Sequence, residues 1–130
     1  MTEPCPCGRT DSKGRVLAYS GCCGPAHTDE RPAPDAEALM RSRYSAFVRG
    51  DIPYLLATWH ARTRPASLEL EAGAKWLGLD IRQHRSMGQD RAEVEFVARC
   101  RVGGRAVRQQ ELSRFVCEGG RWYYVDGDVR

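Results

Sequence analysis

The apolar residues in the first half of the chain recur with the period of an α-helix. After Asp35 they fall three or four positions apart, at Leu39, Met40, Tyr44, Phe47 and Val48. Asp35 precedes this run as a candidate N-cap, and Gly50 follows it at the position where helix ends favour glycine. The pattern therefore predicts a helix that Asp35 caps and that ends at Arg49.

Two more helices are expected before the period changes. Asp51 restarts the capping pattern, and Pro53 falls in the first turn, where proline is tolerated. The next residues are largely apolar, at Tyr54, Leu55, Leu56 and Trp59, until the segment 62–65 breaks the helix. A third, short helix is predicted from Ser67 to Gly73.

From Trp76 onward the period is two, which is typical of strands. One face of a predicted strand carries Val94, Phe96, Ala98, Cys100 and Val102, and the other carries Glu93, Glu95, Arg99 and Arg101. Glycine pairs at 103–104 and 119–120 predict tight turns between this strand and two further strands, 105–117 and 121–125. Three helices followed by four meandering strands predict an α+β domain, with the helices on one face of a curved antiparallel sheet.

The N-terminal segment is poor in apolar residues but holds four of the six cysteines. They form two close pairs, Cys5 with Cys7 and Cys22 with Cys23. Two such pairs joined by a loop can place four thiolates around one tetrahedral zinc ion. Four thiolates leave no coordination position for water, so the predicted site is structural.

Other interpretations of the cysteines stay open at this point. The four thiols could be free or form a disulfide, and His27, four residues after Cys23, could replace one thiolate. Cys100 and Cys117 fall at the apolar face and the end of predicted strands, where small buried hydrophobes are expected.

The composition predicts a soluble, cytoplasmic protein of one main domain. Apolar residues make up 42% of the 130 residues and charged residues 28%. No apolar run is long enough to cross a membrane, and the N-terminus lacks the pattern of a signal peptide. Disulfides are rare in the cytosol, which favours metal ligation by the clustered cysteines. We expect a knuckle over residues 1–25, a linker over 26–34 and a folded domain over 35–130.

The charge gives little information about partners. Arginine outnumbers lysine by 18 to 2, but the net charge is only +3. That bias is too weak to indicate nucleic-acid binding by itself.

Two sets of residues resemble known families. The run 5–8 with the run 22–25 resembles the SEC-C motif, the zinc knuckle at the C-terminus of the SecA translocation ATPase. The segments 39–48, 54–60, 76–79, 96–99, 113–115 and 122–127, in that order, resemble the bacterial YchJ family over almost the whole chain. One departure is the loop between Cys7 and Cys22, which at 14 residues is longer than is usual in SEC-C knuckles.

The resemblance implies a nuclear transport factor 2-like fold for residues 35–127, a cone of three helices on a curved sheet, preceded by a knuckle that binds one zinc ion. It implies no activity. Because the similar knuckle of SecA contacts the chaperone SecB and ribosomes, it also implies a protein or ribosome-associated partner.

Cone-shaped domains of this kind enclose a cavity, and some use it to bind ligands or to catalyse reactions. The candidate lining residues are Arg43, Tyr44, Trp59, His60, Glu111 and Arg114, beside Trp76 and Phe96. His60 is a candidate general base or a structural histidine, and Glu111 with Arg114 is a candidate buried ion pair. No pair of carboxylates, activated nucleophile or phosphate loop is recognisable, so no catalytic residue is assigned.

Three functional hypotheses follow. The first is a zinc-stabilised interaction module that offers the knuckle loop to a protein or ribonucleoprotein partner. The second is a small-ligand binder or enzyme that uses the cone cavity. The third is weak nucleic-acid binding by Arg9, Lys13 and Arg15 together with Arg62 and Arg64.

Overall fold

The computed structural model describes residues 3–70 and 73–130. The elements are a 3-10 turn at Tyr19–Gly21, helices α1 (Gly24–His27), α2 (Ala36–Arg49) and α3 (Ile52–Ala57), and strands β1 (Lys75–Ser86), β2 (Arg91–Val102), β3 (Arg105–Glu118) and β4 (Arg121–Val129). No helix in the described part of the chain is both long and apolar enough to cross a membrane.

Both main helices begin where the capping residues predict, and α2 ends there too, whereas α3 ends at Ala57, before the Trp59 that the pattern included. The Asp35 side chain accepts a hydrogen bond from the Ala38 amide at 2.7 Å, and the Asp51 side chain accepts one from the Tyr54 amide. Gly50 ends α2 in the left-handed conformation, with φ of 71°. Local sequence therefore determines the bounds of α2 and the start of α3.

The four strands form one antiparallel sheet in the order β1-β2-β3-β4. Both predicted glycine turns are confirmed, since Gly103 and Gly104 have φ of 57° and 80° and the second pair is similar. Register shifts in β1 and between β3 and β4 interrupt the ladder. Such bulges bend a sheet, which gives the sheet a face that can enclose α2.

The predicted helix at 67–73 is wrong over residues 67–70, which have no regular secondary structure. Leu68 and Leu70 are half-buried there, whereas Ser67 and Glu69 are exposed. That alternation is the pattern of an extended segment. Glu71 and Ala72 lie outside the described residues.

Helix α2 lies between the sheet and the N-terminal unit, which we define as residues 3–28. Leu39 and Tyr44 belong to one core cluster with Phe96 and Phe115 of the sheet. Three cysteines of the N-terminal unit, Cys5, Cys7 and Cys23, belong to the same cluster. The N-terminal unit therefore shares the main core, and its α1 includes two residues that the sequence placed in a linker.

Candidate functional site

The first cysteine pair is held by a turn and by pairing to the segment before the second pair. Cys5 donates its amide proton to the Leu17 carbonyl at 2.9 Å, and Pro4 pairs with Ala18. The Gly8 amide closes the turn on the Cys5 carbonyl, with Gly8 at φ of 74°. A left-handed residue at this point favours glycine, so the Cys-Pro-Cys-Gly run folds into a tight turn locally.

The second cysteine pair is placed by Gly24, at the start of α1. A Cβ atom on Gly24 would lie 2.9 Å from the Tyr19 carbonyl oxygen and 3.2 Å from the Tyr19 ring. Only glycine fits this contact without a shift of the backbone. Gly24 therefore allows the chain to fold back so that Cys22 and Cys23 face the first pair.

The four sulfur atoms of Cys5, Cys7, Cys22 and Cys23 lie within 4.8 Å of one another, and we call this group the cysteine cluster. The Cys7 and Cys22 sulfurs are 3.6 Å apart and all four cysteines are free thiols. Sulfurs at about 2.3 Å around a tetrahedral zinc ion lie about 3.8 Å apart, so the cluster has the dimensions of a four-thiolate site. Three of the residues are buried and Cys22 is half-buried.

The thiols of the cluster shift one another's pKa values. Hydrogen bonds from Cys23 and Cys7 lower the pKa of Cys5. The bond that Cys23 makes to Cys5 raises the pKa of Cys23, while burial and the charge of Cys7 raise the pKa of Cys22 to about 12. Neighbouring thiolates in this buried site therefore oppose one another's ionisation. Four thiolates together require a cation among them, which is what a bound divalent metal supplies.

His27 is not a member of the cluster, because both of its ring nitrogens have other partners. Nε2 donates to the Ser42 carbonyl at 2.8 Å, so Nδ1 is the acceptor for the Tyr19 hydroxyl at 2.6 Å. The alternative in which His27 replaces a thiolate is therefore wrong. Its role is to join the N-terminal unit to α2.

The long loop between the cysteine pairs forms a small hairpin of its own. Thr10 pairs with Val16, and one carboxylate oxygen of Asp11 accepts the amides of Lys13 and Arg15 at 2.8 and 3.0 Å. The tip is exposed. The extra residues therefore extend into solvent and leave the two cysteine pairs together. Cys100 and Cys117, which lie in the sheet, are half-buried.

A second site is the cavity between α2 and the sheet, which we call the cone cavity. Its volume is about 260 Å³. Four predicted residues line it, namely Arg43, Tyr44, Trp59 and Glu111. Trp76 and Phe96 line it as well, together with Met40, Phe47, Ala98, Gln109, Ser113 and Tyr124.

The other two predicted cavity residues, His60 and Arg114, lie elsewhere. His60 Nε2 contacts the Glu118 carboxylate at 3.0 Å, and the His60 amide donates to the Tyr124 carbonyl. These contacts fasten the segment after α3 to the end of β3 and to β4, which is a structural role. The prediction that His60 and Arg114 line the cavity with the other four residues is therefore wrong.

The predicted ion pair between Glu111 and Arg114 is also wrong. Arg114 binds Asp126 at 2.6 Å and Asp128 at 2.9 Å on the opposite face of the sheet. Residues three apart in a strand point to opposite faces, so period-two counting excludes the pair. The same counting places Gln109 and Ser113 beside Glu111, and it would have found these two cavity residues.

Fold and site together define an α+β protein in which a four-cysteine N-terminal unit is packed against a helix-on-sheet domain. Residues 35–127 match the family model described as the YchJ middle NTF2-like domain. The chain therefore belongs to the YchJ family.

Full-length relatives agree with this assignment. The UPF0225 protein of Polaromonas naphthalenivorans is 62% identical over 98% of both chains, and that of Cupriavidus metallidurans is 52% identical over 98% of this chain and 89% of the relative. A solution structure of a SEC-C motif containing protein from Rhodopseudomonas palustris has a TM-score of 0.81 and 33% identity, covering 97% of this chain and 98% of that one. A crystal structure of a SEC-C motif containing protein from Psychrobacter arcticus has a TM-score of 0.81 and 29% identity, covering 95% and 81%.

Proposed function

We propose that the cysteine cluster binds one structural zinc ion and that the N-terminal unit held in this way is an interaction module for a protein or ribonucleoprotein partner. The observation that carries the metal assignment is the convergence of four sulfurs within 4.8 Å. A thiolate set of this kind selects zinc among the common divalent ions, and it offers no open position for catalysis. Cys5, Cys7, Cys22 and Cys23 would be the ligands.

Metal analysis of the purified chain tests the zinc assignment. We expect about one equivalent of zinc in the wild type and a large loss of zinc in Cys22→Ser, because a missing thiolate leaves three ligands. Cys117→Ser is the matched control, since Cys117 is a half-buried cysteine outside the cluster, and it should keep the full equivalent. Equal zinc content in all three proteins would contradict the assignment.

The surface next to the cluster supports an interaction role. A groove of about 520 Å³ runs beside Cys22, with arginines at its rim and apolar residues at its floor. Its lining includes Arg9 and Arg31 together with Leu17, Pro25 and Ala33, while Arg41, which also lines it, is paired with Glu37 at 3.0 Å. Basic side chains around an apolar floor suit an acidic, partly apolar peptide segment.

Quantitative pull-down tests the interaction role. A double variant with Arg9→Glu and Arg31→Glu reverses two rim charges, so partner recovery should fall while zinc content stays at one equivalent. Arg105→Glu changes an exposed arginine at the start of β3, away from the groove, and serves as the control. If the rim variant and the control recover the same proteins as the wild type, the groove is not the docking surface.

Nucleic-acid binding is a second candidate function. The basic residues on the sheet support it more strongly than the basic residues of the knuckle loop do. On the outer face, away from α2, Arg99 lies directly opposite Arg108, and Lys75 lies opposite Arg101. All four side chains are exposed. Like charges opposite each other in a sheet are unfavourable, and a phosphate backbone would relieve the repulsion.

Salt-dependent binding tests this second candidate. A fluorescent single-stranded RNA should bind at low salt, and its affinity should fall steeply as salt increases. Arg99→Gln with Arg108→Gln should weaken binding and flatten the salt dependence, whereas Arg9→Gln with Arg15→Gln should change both little. An absence of binding at low salt would eliminate this candidate.

A further inference from the structure

The cone cavity contains a buried cation. Arg43 of α2 is only 3% exposed. Its Nη1 group donates to the Leu55 carbonyl at 2.8 Å and to the Thr58 hydroxyl at 2.7 Å, and its guanidinium carbon lies 4.6 Å from the Tyr124 ring centroid. Both Nη1 protons are therefore used in holding the end of α3.

The rest of the guanidinium has no carboxylate partner. Among residues 3–70 and 73–130, no acidic side chain lies within salt-bridge distance of Arg43. A guanidinium has five N–H donors, so the Nε and Nη2 donors remain beyond the two used at Nη1. Burial lowers the pKa of Arg43 to about 10, which still leaves it charged at neutral pH. Buried charges in proteins are normally paired, so this cation needs an explanation.

The same cavity holds a fixed acceptor. Glu111 Oε2 accepts a hydrogen bond from the buried Ser113 hydroxyl at 2.8 Å, and Glu111 Oε1 accepts one from Gln109 at 3.4 Å. Gly127 leaves room for this carboxylate, because a Cβ atom there would lie 2.7 Å from Glu111 Oε2. The carboxylate is thus placed in the cavity by its neighbours.

Aromatic rings form the rest of the wall. The Trp76 ring lies 5.6 Å from the Tyr44 ring and 5.9 Å from the Phe47 ring. Trp59 also lines the cavity, and its indole N–H is buried with no hydrogen-bond partner among the described residues. The volume of about 260 Å³ corresponds to roughly nine waters, which suits a compound with one ring.

We propose that the cone cavity binds a small aromatic carboxylate that carries a hydroxyl or amino group, with the ligand carboxylate on Arg43, its ring among the aromatic side chains and its donor group on Glu111. The ligand places an anion in direct contact with Arg43, which the Glu111 charge reaches only across the cavity, and it donates to the Glu111 carboxylate, which is already positioned. This site is separate from the cysteine cluster and does not depend on the metal assignment.

Amide NMR titration of the protein with three compounds of matched size tests the proposal. The first is 4-hydroxybenzoate, which has both polar groups. The second, 4-methylbenzoate, lacks the donor, and the third, 4-hydroxybenzamide, lacks the charge. We expect 4-hydroxybenzoate to bind tightest, and loss of either group to weaken binding by about tenfold, because each removes a hydrogen bond to a charged side chain. The shifts should map to α2, β2 and β3.

Protein variants separate the two ends of the site. Glu111→Gln should reduce the preference for 4-hydroxybenzoate over 4-methylbenzoate, because only the hydroxyl compound donates to the Glu111 carboxylate. Glu95→Gln, the same substitution on the outer face of β2, is the control and should change neither affinity. Arg43→Met should remove the preference for the carboxylate over the amide.

Arg43→Met also removes two structural hydrogen bonds and can fail to fold, so Glu111→Gln is the decisive variant. The proposal is overturned if none of the compounds shifts the cavity residues, or if all three bind equally. It is also overturned if Glu111→Gln and Glu95→Gln have the same effect on the preference between the two carboxylates.

Discussion

At the scale of single residues, the cysteine cluster requires Gly24 and the cone cavity requires Gly127. A side chain at position 24 would collide with Tyr19, and one at position 127 would collide with the Glu111 carboxylate. Gly24 allows the second cysteine pair to fold back over Tyr19, and Gly127 leaves space for the Glu111 carboxylate. Neither glycine has a left-handed backbone. Their requirement is therefore one of close approach and not of conformation.

Gly24→Ala should destabilise the N-terminal unit by about 1–3 kcal/mol, because the new methyl group meets a backbone oxygen that cannot move freely. Zinc competition with a chelator and urea unfolding both measure the effect, and we expect weaker zinc retention together with a lower midpoint. Gly21→Ala is the control, since a Cβ there meets nothing within 4 Å. Equal behaviour of the two variants would show that the close approach of Gly24 to Tyr19 is unimportant.

The roles of single residues could be predicted from the sequence where they depend on local spacing. The cysteine pairs and the Asp35 and Asp51 caps follow from short-range pattern, and all lie where the pattern places them. His60 and Arg114 were misplaced because cavity membership depends on strand face and on loop path. Counting by two along β3 would have corrected Arg114, but no local signal fixes the path of the segment after Trp59.

At the scale of elements, α2 is unusual in being covered on two sides. Leu39 and Tyr44 face the core that it shares with the sheet, while the buried Ser42 and Ser45 contact the N-terminal unit. Serine is small enough to allow close packing, and its hydroxyl still finds a partner. The helical period identified only the apolar side of α2, because the sequence gives no sign that Ser42 and Ser45 are buried.

A chain of hydrogen bonds ties three elements together. Tyr19 of the 3-10 turn donates to His27, His27 donates to the Ser42 carbonyl, and the Ser42 hydroxyl contacts the Tyr54 hydroxyl of α3 at 2.7 Å. The His27 ring also packs 4.6 Å from the Tyr54 ring. Through these contacts the N-terminal unit supports the packing of both main helices.

His27→Ala should therefore lower the free energy of unfolding by about 1–3 kcal/mol, since it removes the hydrogen bonds to the Tyr19 hydroxyl and the Ser42 carbonyl together with the ring contact to Tyr54. The same variant should still hold one equivalent of zinc, because His27 does not belong to the cysteine cluster. His84→Ala is the control, as His84 makes only a long contact of 3.8 Å with Glu37. Loss of zinc from His27→Ala would mean that the histidine is a ligand after all.

At the scale of the whole molecule, the N-terminal unit and the domain share one core and are joined again at the surface. Arg49 stacks 4.1 Å from the Tyr19 ring centroid and contacts Glu3, and Arg121 of β4 contacts Asp29, the residue directly after the N-terminal unit, at 2.8 Å. The sequence indicated a knuckle over residues 1–25 that a linker separates from the folded domain. It could not reveal the shared core, because the contacts join residues far apart in the chain.

Removal of metal should consequently affect more than the N-terminal unit. Hydrogen exchange of the full chain, with and without a zinc chelator, should show faster exchange at the amides of residues 5–24 and also at residues 42–46 of α2, which lose their cover. The amides in the middle of β2 and β3 should stay protected, because their ladder does not involve the N-terminal unit. Faster exchange confined to residues 5–24 would contradict the shared core.

The proposed function depends most on four sulfur ligands around one zinc ion, and X-ray absorption at the zinc edge tests for these ligands directly. On the purified full-length chain we predict four sulfur neighbours at about 2.3 Å and no nitrogen or oxygen in the coordination sphere. Zinc coordinated by nitrogen or oxygen together with sulfur, or a folded chain that holds no zinc, would contradict it.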